Sequence, residues 1–267
     1  QMNKDRFYSD NDFLNSPDGR TIRILSEYFG PFQRLRKNNI KDTIVFFGSA
    51  RLKSRSQAKN ALTNKSKNIT TTKFAELKRD LEMSNYYEAA RELALKLTKW
   101  SKGLKNQKRR YIVTSGGGPG IMEAANRGAK EAKGLTLGLG ITLPKEQQLN
   151  QYIPNDLGLM FHYFFMRKFW FLYQAKAMVI WPGGYGTMDE LMESLTLIQS
   201  KKLRKKIPIV MYDSDFWNNV INWNYLVDKG VISKSDLNLF QFCDTVPDAF
   251  NFLTDKITKT HIQGPNF

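Results

Sequence analysis

Cysteine occurs once in 267 residues, at Cys243, and histidine twice, at His162 and His261. A single cysteine excludes an internal disulfide and any cysteine-based metal cluster. Two histidines argue against a zinc site and against a Ser-His-Asp triad. His162 reads as structural and Cys243 as a small buried hydrophobe. No apolar run approaches the ~20 residues that a membrane span needs. The first 23 residues are polar and mixed in charge, unlike a signal or transit peptide. The expectation is a cytoplasmic protein with no membrane contact, no metal and no organic cofactor.

Acidic residues are scarce beside basic ones: 25 Asp and Glu stand against 41 Lys and Arg, a net charge of +16. Such an excess attracts polyanions nonspecifically. Two stretches concentrate it, Arg51 to Lys78 and Lys201-Lys202-Leu203-Arg204-Lys205-Lys206. Both read as solvated faces, and lysine is also spread along the whole chain. Nucleic acid is therefore not the expected partner, although the charge would help to draw in a phosphorylated small molecule. A polyanion-binding protein using residues 51–79 stays as a rival, and it would bind with a steep salt dependence.

The chain is long enough for a sizeable core, with 41% hydrophobic and 13% aromatic residues. Residues 1–41 read as an N-terminal helical extension. Arg20 to Arg36 is amphipathic, with Ile24, Leu25, Tyr28 and Phe29 free to dock, and Gly30-Pro31 should break or kink it. Residues 42–267 read as one Rossmann-like α/β domain with a basic insertion at 52–84. Strands are expected at 43–47, 111–114, 135–141, 157–161, 177–181, 207–212 and near 240–243. Helices are expected at 73–83, 86–100 (capped by Ser84 or Asn85), 121–132, 163–175, 187–199, 215–229 and 246–260. Alternation of strand and helix predicts an α/β fold, a doubly wound and mainly parallel sheet with helices on both faces.

Two strand-to-helix turns are rich in glycine. One is Ser115-Gly116-Gly117-Gly118-Pro119-Gly120; the other is Pro182-Gly183-Gly184-Tyr185-Gly186-Thr187. Free backbone N–H groups and the positive end of the dipole make such a helix start an anion site. In a doubly wound sheet both turns lie at the carboxyl edge, where ligands bind. Neither is a P-loop, because no Gly-Lys-Ser/Thr follows. Glu190, a turn into the second helix, would repel a phosphate that it faced. It fits better against an uncharged part of a phosphorylated ligand.

These turns, with Met166-Arg167-Lys168 and the complete Pro-Gly-Gly-x-Gly-Thr-x-x-Glu motif of 182–190, resemble the LOG ("lonely guy") family over about residues 43–260. Its members are nucleoside 5′-monophosphate phosphoribohydrolases that were long called lysine decarboxylases. The resemblance implies hydrolysis of an N-glycosidic bond to free base and ribose 5-phosphate, on a substrate such as AMP, by a homodimer or higher oligomer. It implies that Glu190 serves the ribose, either as general base for water or as electrostatic partner of the developing cation. It gives Arg167 the role of orienting Glu190 or of engaging ligand oxygens through its fork. Gly183, Gly184, Gly186 and Thr187 would hold the 5′-phosphate, with Gly117, Gly118 and Ser49 on the facing edge and Lys168 beside Arg167. Ser49 has the alternative of capping a helix. Glu123 could reach a ribose hydroxyl. It stands where short cytokinin-activating members carry glycine, which argues against a cytokinin-type preference. The rival on the same fold is a nucleotide-binding sensor or carrier without turnover.

Overall fold

The computed structural model describes residues 6–64, 70–104, 110–142 and 148–264. The first five residues of the expected extension and residues 65–69 of the expected insertion lie outside the described residues. Seven strands form one sheet: β1 (Thr43–Phe47), β2 (Ile112–Ser115), β3 (Thr136–Ile141), β4 (Gly158–Phe161), β5 (Ala175–Ile180), β6 (Ile209–Tyr212) and β7 (Gln241–Cys243). Their order is β4-β3-β2-β1-β5-β6-β7, and every neighbouring pair is parallel. Parallel strands need helical crossovers, and these cover both faces. The helices are α1 (Asn11–Asn15), α2 (Arg20–Lys37), α3 (Arg55–Asn64), α4 (Thr71–Gly103), α5 (Ile121–Glu131), α6 (Phe164–Gln174), α7 (Tyr185–Gln199), α8 (Ser214–Val220), α9 (Trp223–Asp228) and α10 (Val246–Ile257). The Rossmann-like α/β architecture expected from the sequence is the one observed.

The side-chain period of two sorts each strand between two cores. Ile44 and Phe46 of β1 join Tyr87, Leu93 and Leu97 of α4 and Ile121 and Ala125 of α5. Val45 and Phe47 join Trp170 and Phe171 of α6 and Leu191 of α7. Central strands buried on both faces read as continuous apolar runs, which is why they were easy to recognise.

Several expectations about the helices change. The 52–84 region is mostly helical, with α3 unanticipated and α4 running unbroken from its Thr70 cap through Ser84. Ser84 caps nothing: its hydroxyl donates to the Leu81 carbonyl, 2.6 Å away, so a would-be cap satisfies itself inside the helix. The 215–229 helix is two pieces, because the Asn222 side chain caps α9 at the Tyr225 N–H. In α2, Ile24 packs on the core and Tyr28 meets Trp170, but Leu25 and Phe29 face solvent.

Gly30-Pro31 does not break α2. Pro31 has no N–H to give to the carbonyl four residues back, at Glu27. The Trp170 indole N–H donates to that carbonyl instead, at 2.9 Å. The Glu27 carboxylate accepts the backbone N–H groups of His162 (2.7 Å) and Tyr163 (3.2 Å). Tyr163 is the N-cap of α6 and has no side-chain cap of its own, so Glu27 supplies a capping anion from another helix. His162 plays its structural part here through its backbone. Glu27→Ala is expected to cost about 1–2 kcal/mol, as loss of a cap does. An unchanged midpoint in urea denaturation would contradict this account of α2.

Candidate active site

β1 is central, and the chain leaves it first toward β4 and then, through α6, returns to its other side at β5. The carboxyl ends of β1 and β5 therefore face a crevice that neither connection covers, the switch point of a doubly wound sheet. Two backbone bonds hold its walls together. Trp181 N–H donates to the Phe47 carbonyl at 2.8 Å, and Ser49 N–H to the Pro182 carbonyl at 3.1 Å. A cleft of about 690 Å³ opens there. A larger depression of about 1080 Å³ lies beside β7, but no carboxylate is among the described residues that line it.

Pro182 to Thr187 forms one wall of the cleft. Gly184 is the N-cap of α7 and offers no side-chain cap, so the first N–H groups of the helix are left for another acceptor. A Cβ at Gly184 or Gly186 would meet nothing within 4 Å, so both backbones face open space. At Gly183 a Cβ would come within 2.2 Å of the buried Thr187 hydroxyl oxygen. That glycine lets the turn close over Thr187.

Ser49 forms part of the facing wall. Its carbonyl accepts the Ile121 N–H at 3.0 Å, and its hydroxyl accepts the Arg51 N–H at 3.1 Å. It thus lines the cleft and also receives the first N–H of α5 through its backbone. Gly116 lies in the same cleft, whereas Gly117 and Gly118 line an adjoining depression of about 180 Å³ that shares Arg167. The Asn150 amide donates to the carbonyls of Gly117 (3.0 Å) and Gly118 (3.1 Å) and to Asn126 Oδ1 (2.9 Å). Ser115 Oγ lies 2.7 Å from Asn126 Oδ1 and accepts the Gly117 N–H at 3.1 Å. This buried polar brace fixes the first glycine turn.

Glu190 and Arg167 both line the cleft. Glu190 is 6% exposed and its carboxylate has no hydrogen-bond partner among the described residues. Burial pushes its pKa up to about 7, against the pull of Arg167 and Lys168. Arg167 Nε donates to the Leu139 carbonyl at 2.8 Å, and its guanidinium lies 5.1 Å from the Phe171 ring centroid. Burial also lowers the Arg167 pKa, opposed by Glu190. No ion pair joins Arg167 to Glu190, so the fork remains available to ligand oxygens.

Two expected binders point elsewhere. Glu123 accepts the Tyr87 hydroxyl at 2.6 Å, which turns it toward α4 and out of the cleft lining. Lys168 pairs with Asp189 (2.8 Å) and Glu193 (2.7 Å), tying α6 to α7 beneath the site. Arg51, Met83, Met122 and Phe216 line the cleft and were not assigned to it from sequence. Met83 and Phe216 come from α4 and α8, and no motif marks them. Phe216 is set by Asp213, whose carboxylate accepts its N–H at 2.9 Å and whose φ of 73° is strained for a non-glycine residue.

A carboxyl whose pKa is raised on folding stabilises the fold below its unfolded value and loses that contribution as pH rises through the folded one. The wild-type protein should therefore lose stability between about pH 4.5 and 7 on account of Glu190. Glu190→Gln should melt higher than wild type above pH 7 and converge with it at low pH. Parallel melting curves at all pH values would contradict the burial of this charge.

A family model described as possible lysine decarboxylase matches residues 122–253. Cytokinin riboside 5′-monophosphate phosphoribohydrolase LOG2 of Arabidopsis thaliana is 24% identical over 179 residues, 66% of this chain and 78% of that protein. LOG7 of the same plant, of the same description, is 28% identical over 152 residues, 56% of this chain and 64% of its own. A solved molybdenum cofactor binding protein from Rippkaea orientalis superposes with a TM-score of 0.50 at 16% identity, covering 82% of this chain and 98% of its own. That last likeness is one of fold. Motifs, family model and curated relatives point the same way: the chain is similar to LOG-type proteins and to the family described as possible lysine decarboxylases.

Proposed function

We propose that the protein hydrolyses nucleoside 5′-monophosphates to free base and ribose 5-phosphate. The observation that carries this reading is Glu190, a buried carboxyl with a pKa near 7 lining a cleft whose wall is an uncapped helix start. A phosphate at the N–H groups of 184–186, beside the Thr187 hydroxyl, places the ribose over Glu190. In the reaction the C1′–N bond breaks, its electron pair leaves with the base, and the sugar becomes oxocarbenium-like. The Glu190 carboxylate stabilises that cation and takes a proton from the water that adds to C1′. The departing base is protonated in turn. Arg167 engages ligand oxygens through its fork, and a charged donor held in a dry site needs little reorganisation. Asn126 and Asn150 brace the first turn beside it.

The curated relatives are named for cytokinin ribotides, which supports the nucleotide class. Glu123 is no obstacle to that substrate, because it faces Tyr87 and not the cleft. The homodimer or larger oligomer implied by the resemblance belongs to the same proposal, with the half-exposed Phe164, Phe165 and Tyr173 of α6 as its apolar surface.

Chromatography of incubations with AMP, GMP, CMP, UMP, IMP and a cytokinin ribotide should detect released base from at least one. Tight binding without release from any would favour a carrier. Glu190→Gln should lower kcat by about 10²-fold or more, the scale of general acid–base catalysis, while nucleotide binding survives. Full activity in that variant would remove Glu190 from the mechanism. With Glu190 as base, kcat/KM should rise with pH to a plateau above about 7. A profile flat from pH 5 to 8 would contradict the assignment.

A further inference from the structure

The opposite end of the sheet holds a second concentration of charge that the proposed reaction does not use. Lys176 is the second residue of β5 and is 7% exposed, yet its ammonium makes no hydrogen bond among the described residues. Its nearest carboxylate oxygen is Asp42 Oδ1, 3.8 Å away, and Asp42 is already paired with Arg110. A largely buried ammonium whose nearest carboxylate stands 3.8 Å away and is shared with Arg110 is only partly compensated. Lys176 lines a depression of about 500 Å³, a size that accommodates a small ligand. Lys205, Arg36 and Lys41 line it too, and Asp42 is the one acid among the described lining residues.

The lining has two characters. Lys205 reaches across the end of α6, donating to the carbonyls of Leu172 (2.7 Å), Tyr173 (2.6 Å) and Ala175 (3.2 Å). Its charge is thereby held at the rim. Arg36 lies over Phe32, 5.7 Å from the ring centroid, so its guanidinium stays beside the opening. Phe32, Leu35 and Tyr173 supply an apolar wall. Burial acts on both lysines, and Lys176 also repels Lys205. Lys176 is pushed down by burial, and Lys205 by burial and by Lys176, to about 8.

We propose that this edge of the sheet is an anion site, in which Lys176, ringed by Lys205, Arg36 and Lys41, receives the phosphate of a small phosphorylated ligand. A dianion offsets the unbalanced cations, supplies acceptors to the ammonium, and leaves the apolar wall to the rest of the ligand. The site is separate from the catalytic cleft, since Lys176 begins the strand whose other end carries Pro182 to Thr187.

Amine acylation resolved by mass spectrometry tests it, with inorganic phosphate as probe and chloride at equal ionic strength as control. An anion beside an ammonium raises its pKa by about one unit or more, so phosphate should slow Lys176 labelling about tenfold. Exposed Lys234 should label at the same rate in both buffers. Protection should persist in Thr187→Val, which alters only the catalytic cleft. Equal Lys176 rates in phosphate and chloride would overturn the proposal. So would loss of protection in Thr187→Val, which would assign the phosphate to the cleft. As a second reading, phosphate should raise the melting temperature of Thr187→Val but not of the double variant Thr187→Val/Lys176→Met, in which neither site is intact; equal shifts in these two would overturn the site.

Discussion

Parallel strands cannot be joined without crossing the sheet, and that constraint creates the cleft. With β1 at the centre, the chain must leave it in one direction and come back on the other side. The ends of β1 and β5 then stand side by side with their connections running apart. Backbone groups at Gly48, Ser49, Pro182 and Gly183 face the gap instead of a crossover. Both glycine-rich turns open there because both strands end at the same edge. The order of strands thus precedes any particular side chain in explaining where a ligand can sit.

Into that gap the fold puts a carboxyl and a guanidinium without letting them pair. Each pays part of its hydration, and burial drives each toward its neutral form. A direct ion pair would hold Glu190 ionised and occupy the Arg167 fork. Their separation keeps Glu190 near neutrality and leaves Arg167 for ligand oxygens. The supporting contacts run outward from α6. Arg167 is steadied by the Leu139 carbonyl, Lys168 binds α6 to α7, and Glu27 caps the start of α6 from α2. Gly116 belongs to the same arrangement, since a Cβ there would lie 2.5 Å from the Arg167 fork.

Much of this was legible because it is written locally. Strands buried on both faces read as apolar runs, and glycine turns before helices mark the carboxyl edge. Residues whose roles depend on distant partners were not legible. Nothing in the sequence near Glu27 says that Pro31 frees its carbonyl for Trp170, 143 residues away. Ser84 has the chemistry of a cap, and only burial inside α4 turns it inward. Glu123 sits at a helix start beside the motif, and its contact with Tyr87 is set by the α4–α5 packing. Met83 and Phe216 carry no signature, because a cleft wall needs only apolar bulk from whichever helix passes.

The central claim is that burial holds Glu190 at a pKa near neutrality against the pull of Arg167, with which it forms no ion pair. Isotope-edited infrared titration of labelled glutamate carboxyls, as the difference between wild type and Glu190→Gln, measures it directly. The account predicts one carboxyl in the difference spectrum ionising at about pH 7. A midpoint near the ordinary glutamate value of about 4.3 would contradict it.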